Sequence, residues 1–158
     1  MITTLITDFS KVLLFVKDKA FGGKLNALNK RLTEEMGDYP FFDYFRLNTE
    51  LLDFYSLLKK RHSISLHIFT TGTIQEKARL QPFLQPLFST VFSANSMGVS
   101  KEEPQSYVEL AKKIGAKPQE VIYVDDQQAN CDAAKKAGIN TVLYSNNETV
   151  QKEILQLL

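Results

Sequence analysis

Asp8 closes the run "TLITDF", Thr70 and Thr71 close "ISLHIFTT", Lys101 stands in "GVSKEEP", and Asp125 with Asp126 closes "EVIYVDD". Carboxylates brought together repel one another unless a cation lies among them. A small set of hard oxygen donors favours Mg²⁺ for that cation. A lysine and a hydroxyl pair beside it are suited to holding an anion against the metal. Phosphate is the anion this donor set fits.

For that chemistry these residues have to meet, and the pattern of elements brings them to one place. Runs rich in Val, Ile, Thr and aromatics at 4–9, 64–71, 90–94, 120–126 and 139–145 read as strands. They alternate with helical patterns at about 25–36, 48–61, 74–85, 104–114, 127–137 and 147–157. Thr73 with Glu76 reads as a capping box, Pro104 as a first helical residue, and Gly115 and Gly138 as C-terminal glycines. Strand–helix alternation with right-handed crossovers predicts an α/β fold of three layers, Rossmann-like, with a mostly parallel central sheet flanked by helices. Ligands of such sheets collect beyond the carboxyl ends of the strands. The two threonines and the aspartates fall at those ends, and Lys101 follows the third strand.

Composition narrows the classes. With 158 residues, 44% hydrophobic and 23% charged, the chain suits one domain with a real core, expected over 1–158. A net charge of +1 with scattered basic residues leaves no footprint for nucleic acid. The longest apolar run, Val12 to Val16, is too short to cross a bilayer, and no basic leader or cleavage pattern opens the chain. The single cysteine, Cys131, excludes an internal disulfide and suits a reducing compartment, so a cytoplasmic location is expected. Cys131 itself reads as a small buried hydrophobe, and neither His62 nor His67 shows a pattern for catalysis.

The same residues resemble the motifs of the haloacid dehalogenase-like (HAD) hydrolase superfamily, from Asp8 to about Tyr144. "ITDFSKVLL" is similar to the family's strand followed by Asp-x-Asp, "HIFTTGT" to its strand ending in Thr or Ser, and "GVSKEEPQSY" to its lysine motif. "VIYVDDQQANCDAAKKAG" is similar to its acidic pair with a small-residue helix behind. A response-regulator receiver uses comparable residues but places the acid pair first and the acceptor later, so the order here favours the HAD resemblance. The resemblance implies an aspartyl-phosphate on Asp8. It implies Mg²⁺ held by Asp8, the Ser10 carbonyl and Asp126, with Asp125 in the inner or second shell. It also implies a phosphate held by Thr70, Thr71 and Lys101. Asn130 is expected to orient Asp126 or to cap the following helix.

Ser10 departs from the pattern, since phosphatases of the family carry an aspartate there as acid and base. A hydroxyl is too weak an acid at neutral pH, and such a group typically contributes ~10²–10⁴-fold. The metal site needs only the backbone carbonyl of that residue. Three readings stay open: a phosphohydrolase limited to good leaving groups, a non-catalytic module that keeps the metal and anion pocket, and a carbon–halogen hydrolase. Lys11, Glu102 and Glu103 are the candidates to replace the missing acid. The cap inserted in many relatives is here reduced to a short, cap-like insertion at about 17–46, with one helix and the aromatic stretch "YPFFDYF", expected to be core packing. So small a lid implies an open site, a phosphorylated small molecule or macromolecule as substrate, and a possible capping partner chain.

Overall fold

A computed structural model describes residues 1–158. In chain order it contains β1 (Thr4–Thr7), β2 (Leu14–Val16), α1 (Leu25–Met36), α2 (Phe41–Tyr44), β3 (Phe45–Leu47), α3 (Thr49–His62), β4 (Ser65–Thr70) and α4 (Gln81–Leu84). β5 (Thr90–Ser93), α5 (Ala94–Met97), α6 (Pro104–Ile114), β6 (Val121–Asp125), α7 (Gln128–Lys136), β7 (Asn140–Leu143) and α8 (Asn147–Leu157) complete it. Five strands pair in parallel in the order β5-β4-β1-β6-β7. The strand order reverses beside β1, which is where open α/β sheets hold their ligands.

Strands β1 and β6 are buried along their whole length, as central parallel strands covered on both faces must be. Alternate residues serve opposite faces. Leu5, Leu66, Ile68 and Ile122 pack against Leu51, Tyr55 and Leu58 of α3 and Val150 and Ile154 of α8. Ile6, Phe69, Val121 and Tyr123 pack against Tyr107 and Leu110 of α6 and Ala133 and Ala134 of α7. Cys131 is buried as a small apolar residue, with its thiol pushed up to about 12 by burial.

The insertion at about 17–46 is bracketed by β2 and β3, which pair antiparallel in a ribbon of their own. Strands of three residues carry too little periodicity to be seen in the sequence. Leu25, Leu28 and Leu32 of α1 join the core, and so do Tyr39, Phe41 and Phe45 of the aromatic stretch. Phe41 and Phe45 stack at 4.7 Å, so core packing is what that stretch does.

The helix expected at 74–85 is not continuous. Two 3₁₀ turns, Ile74–Glu76 and Ala78–Leu80, lead into the four-residue α4. Lys77 breaks the path with extended ψ, and Thr73 makes no side-chain cap. The backbone N–H groups of Thr73 and Ile74 donate instead to Asn26 Oδ1, at 3.2 and 3.1 Å. A tertiary partner from the insertion has replaced the local cap. The same amide fixes Gly72, where an added Cβ would stand 2.4 Å from Asn26 Oδ1. Gly72→Ala and Asn26→Ala should therefore each lower unfolding free energy by about 1–3 kcal/mol, the range for two lost hydrogen bonds, as read by urea denaturation.

His67, in β4, is buried and neither ring nitrogen has a partner. Burial holds its pKa below the ordinary 6.5. The unfolded chain therefore protonates first as pH falls, so the stability tied to a neutral His67 is complete above about pH 6.5 and is lost below it. Against the wild type, His67→Leu should flatten the fall of stability between neutral pH and mildly acid pH, measured by chemical denaturation.

Candidate active site

Asp8 follows β1, and its position is locked from two sides. Its Oδ1 accepts the Phe9 N–H at 2.8 Å and the Lys101 ammonium at 2.9 Å. The chain then turns sharply, with Lys11 at φ 62 and its N–H donating to the Leu14 carbonyl at 2.8 Å. A left-handed conformation is uncommon for a residue with a Cβ. It returns the chain into β2 and places the Lys11 side chain on the cleft wall.

Asp125 is fully buried at the end of β6 and saturated by donors. Lys101 Nζ reaches its Oδ2 at 2.7 Å, Asn130 Nδ2 donates to the same oxygen at 3.1 Å, and so does the Tyr123 hydroxyl. Gln127 N–H donates to Oδ1 at 2.8 Å. Asn130 thus orients Asp125, not Asp126 as expected, and the N-cap position of α7 belongs to Gln127. Lys101 is buried between the two carboxylates and lies 5.5 and 5.7 Å from the ring centres of Phe69 and Tyr123. The Tyr107 hydroxyl holds the Lys101 carbonyl at 2.7 Å.

Electrostatics follow from this burial. Desolvation pushes the Asp8 carboxyl up to about 7, opposed by Lys101 and reinforced by Asp125. Desolvation works against charge on Lys101, but Asp8 and Asp125 outweigh it and hold the ammonium more firmly charged than usual. Asp126, half-buried, is also raised by desolvation.

Asp8, Ser10, Thr70, Thr71, Lys101 and Asp126 line one cleft of about 700 Å³ at the carboxyl edge of the sheet. Asp125 lies beneath it. Carboxylate oxygens of Asp8, Asp125 and Asp126 all lie within 4.8 Å of one another, a donor set of the type that holds a hard divalent cation. Of the three, Asp125 has its oxygens taken up by protein donors, while Asp126 accepts only from the Gln127 amide at 2.8 Å. Ser10 Oγ is buried without a partner. From the insertion, Lys24, Leu25 and Asn26 form part of the wall. Glu102 lines the cleft, whereas Glu103 occupies the N-cap position of α6.

Tyr123 and Asn26 were not identifiable from the sequence as parts of this site. Tyr123 shares a strand face with Asp125 two residues on, a spacing that is visible in retrospect. Asn26 sits in an ordinary amphipathic helix, and nothing local marks it.

A parallel sheet with a lysine clamped between carboxylates at its carboxyl edge places the chain among α/β proteins whose site lies beyond the strand ends. Within that class the chain belongs to the haloacid dehalogenase-like hydrolases, whose family profile matches residues 6–138. It is 34% identical over 111 residues to an enolase-phosphatase E1 of Synechococcus sp. (strain CC9902), covering 65% of this chain and 44% of that protein. The chain thus spans less than half the length of the enolase-phosphatases it matches. The solved structure of a protein described as a predicted HAD-like family hydrolase, from Porphyromonas gingivalis, superposes with a TM-score of 0.70 at 18% identity, covering 99% of this chain and 98% of that one. A HAD-family enzyme from Bacteroides thetaiotaomicron, solved with magnesium and inorganic phosphate, gives 0.64 at 15% identity over 92% of this chain and 95% of its own. These superpositions show the HAD fold. No helix of the chain is long and apolar enough to cross a membrane.

With Lys101 replaced by methionine, two buried carboxylates lose their shared counter-charge. Lys101→Met should cost about 3–5 kcal/mol at neutral pH, the range for breaking a buried ion pair. Adding Asp8→Asn and Asp125→Asn should recover a large part of it, as followed by thermal and urea unfolding.

Proposed function

We propose that this chain is a Mg²⁺-dependent phosphohydrolase working through an aspartyl-phosphate on Asp8, limited to phosphates with good leaving groups such as acyl and aryl phosphates. The observation that carries this reading is Lys101 held between Asp8 and Asp125 in a cleft whose walls present Thr70, Thr71 and Asp126. The enolase-phosphatase relatives support phosphate as the group acted on.

Asp8 attacks phosphorus, and the leaving oxygen departs with its electron pair. The Thr70 hydroxyl and the Thr71 N–H donate to the phosphoryl oxygens, and Lys101 offsets their charge and keeps Asp8 aimed. Bound Mg²⁺, held by Asp8, Asp126 and the Ser10 carbonyl, would screen the repulsion between the carboxylate and the phosphate. Asp125 takes no ligand position in this reading; it fixes Lys101. Catalysis rests on positioning and electrostatics, as phosphoryl transfer demands. Ser10 supplies no proton, so a poor leaving group such as an alkoxide is not released at a useful rate. The substrate is a phosphorylated small molecule or a phosphate displayed on a macromolecule, with the insertion as one wall and room at the rim for a partner chain.

A panel of acyl, aryl and alkyl phosphates with Mg²⁺ should show turnover of the first two only, abolished by EDTA and by Asp8→Asn. Ser10→Asp should raise alkyl-phosphate hydrolysis by ~10²–10⁴-fold. Calorimetric Mg²⁺ binding with no gain from Ser10→Asp and no turnover of activated phosphates would establish the non-catalytic reading instead.

A further inference from the structure

The phosphohydrolase reading leaves one step without an agent. Water has to cleave the aspartyl-phosphate, and Ser10 cannot take its proton. The cleft walls narrow the choice. Three carboxylic acids line it: Asp8, Asp126 and Glu102. Asp8 carries the phosphoryl group and Asp126 is assigned to the cation. Asp125 lies below the cleft with its oxygens filled by Lys101, Asn130, Tyr123 and Gln127. No histidine, cysteine or tyrosine lines the walls; Lys101 is committed to two carboxylates, and Lys11 and Lys24 end in ammonium groups that offer donors and no acceptor.

Glu102 is different in kind. Its backbone N–H is anchored on Ser100 Oγ at 3.2 Å, while its carboxylate makes no ion pair or hydrogen bond with protein. It directly follows the lysine that steadies Asp8, so both ride on one anchored loop. Ser106 Oγ donates to the Ser100 carbonyl at 2.6 Å and Tyr107 to the Lys101 carbonyl, which fixes that loop to α6. With no protein donor on it, the Glu102 carboxylate has both oxygens free to accept from a water in the cleft. That suits the second step, in which water has to lose a proton.

We infer that Glu102 is the general base of the dephosphorylation step. Water oxygen bonds to phosphorus, the bond from Asp8 to phosphorus breaks with its electron pair returning to the Asp8 carboxylate, and the water proton passes to Glu102 and then to solvent. The inference rests on the proposed aspartyl-phosphate route.

The test is pre-steady-state hydrolysis of p-nitrophenyl phosphate with Mg²⁺ by the wild type, Glu102→Gln and Glu103→Gln. Glu102→Gln should release about one nitrophenolate per enzyme in a burst, then turn over at least about 10²-fold more slowly, with a phosphoryl adduct on Asp8 seen by intact mass. Glu103→Gln should behave as wild type. A steady rate for Glu102→Gln within about threefold of wild type, with no adduct, would overturn the assignment and leave the phosphohydrolase reading standing. No nitrophenolate from the wild type, on this ester or on acetyl phosphate, would overturn both.

Discussion

The arrangement depends on one buried cation. Lys101 lies between Asp8 and Asp125, with almost no access to solvent, and each of the three would be costly to bury alone. Held together they aim the Asp8 carboxylate at the cleft. The strands on which Asp8 and Asp125 ride, β1 and β6, are neighbours in the sheet. The lysine arrives from the loop before α6 and closes the triad from the side.

Around that ion set the protein has built support rather than further chemistry. Tyr123, Asn130 and the Gln127 N–H saturate Asp125, so its carboxylate is held in place against Lys101. Phe69, Tyr107 and Tyr123 form an aromatic floor under the ammonium. Such a floor excludes water and keeps the ion pairs strong. Asp126, by contrast, lies at the cleft wall with capacity to spare. Two adjacent aspartates thus differ in their partners because successive strand-end residues face different surroundings.

The insertion is part of the site wall and not a loose lid. Asn26 fastens it to the loop that follows Thr70 and Thr71, and Lys77 stands 5.0 Å from the ring centre of Tyr39. Any shift of α1 would pull on the backbone after Thr71, which couples the shape of the cleft to the hydroxyls facing it. The short Lys24–Asn26 segment is therefore part of what shapes the cleft.

The five runs of the central sheet and the residues at their carboxyl ends were readable from the chain alone. Hydrophobic periodicity and β-branched composition are local properties, and the topology rules for parallel sheets carry them to one edge. Asp8, Thr70, Lys101, Asp125 and Asp126 were candidates on that basis. What local pattern could not convey is how polar groups choose partners. Thr73 looked like a helix cap, but Asn26, from far away in sequence, accepts from the Thr73 and Ile74 N–H groups, and the helix gives way to two 3₁₀ turns on either side of Lys77. Asn130 was expected to orient Asp126 or to cap the helix, and only the packed geometry directed it to Asp125. The separation of Glu102 from Glu103, neighbours with the same side chain, likewise came from the start of α6, which puts one on the cleft wall and the other at the helix cap. Sequence determined which elements form and which residues stand at their ends, because those depend on short-range periodicity. Tertiary structure decided which of those residues are paired, buried or left free, because hydrogen bonding and desolvation depend on neighbours that the chain brings together only when folded.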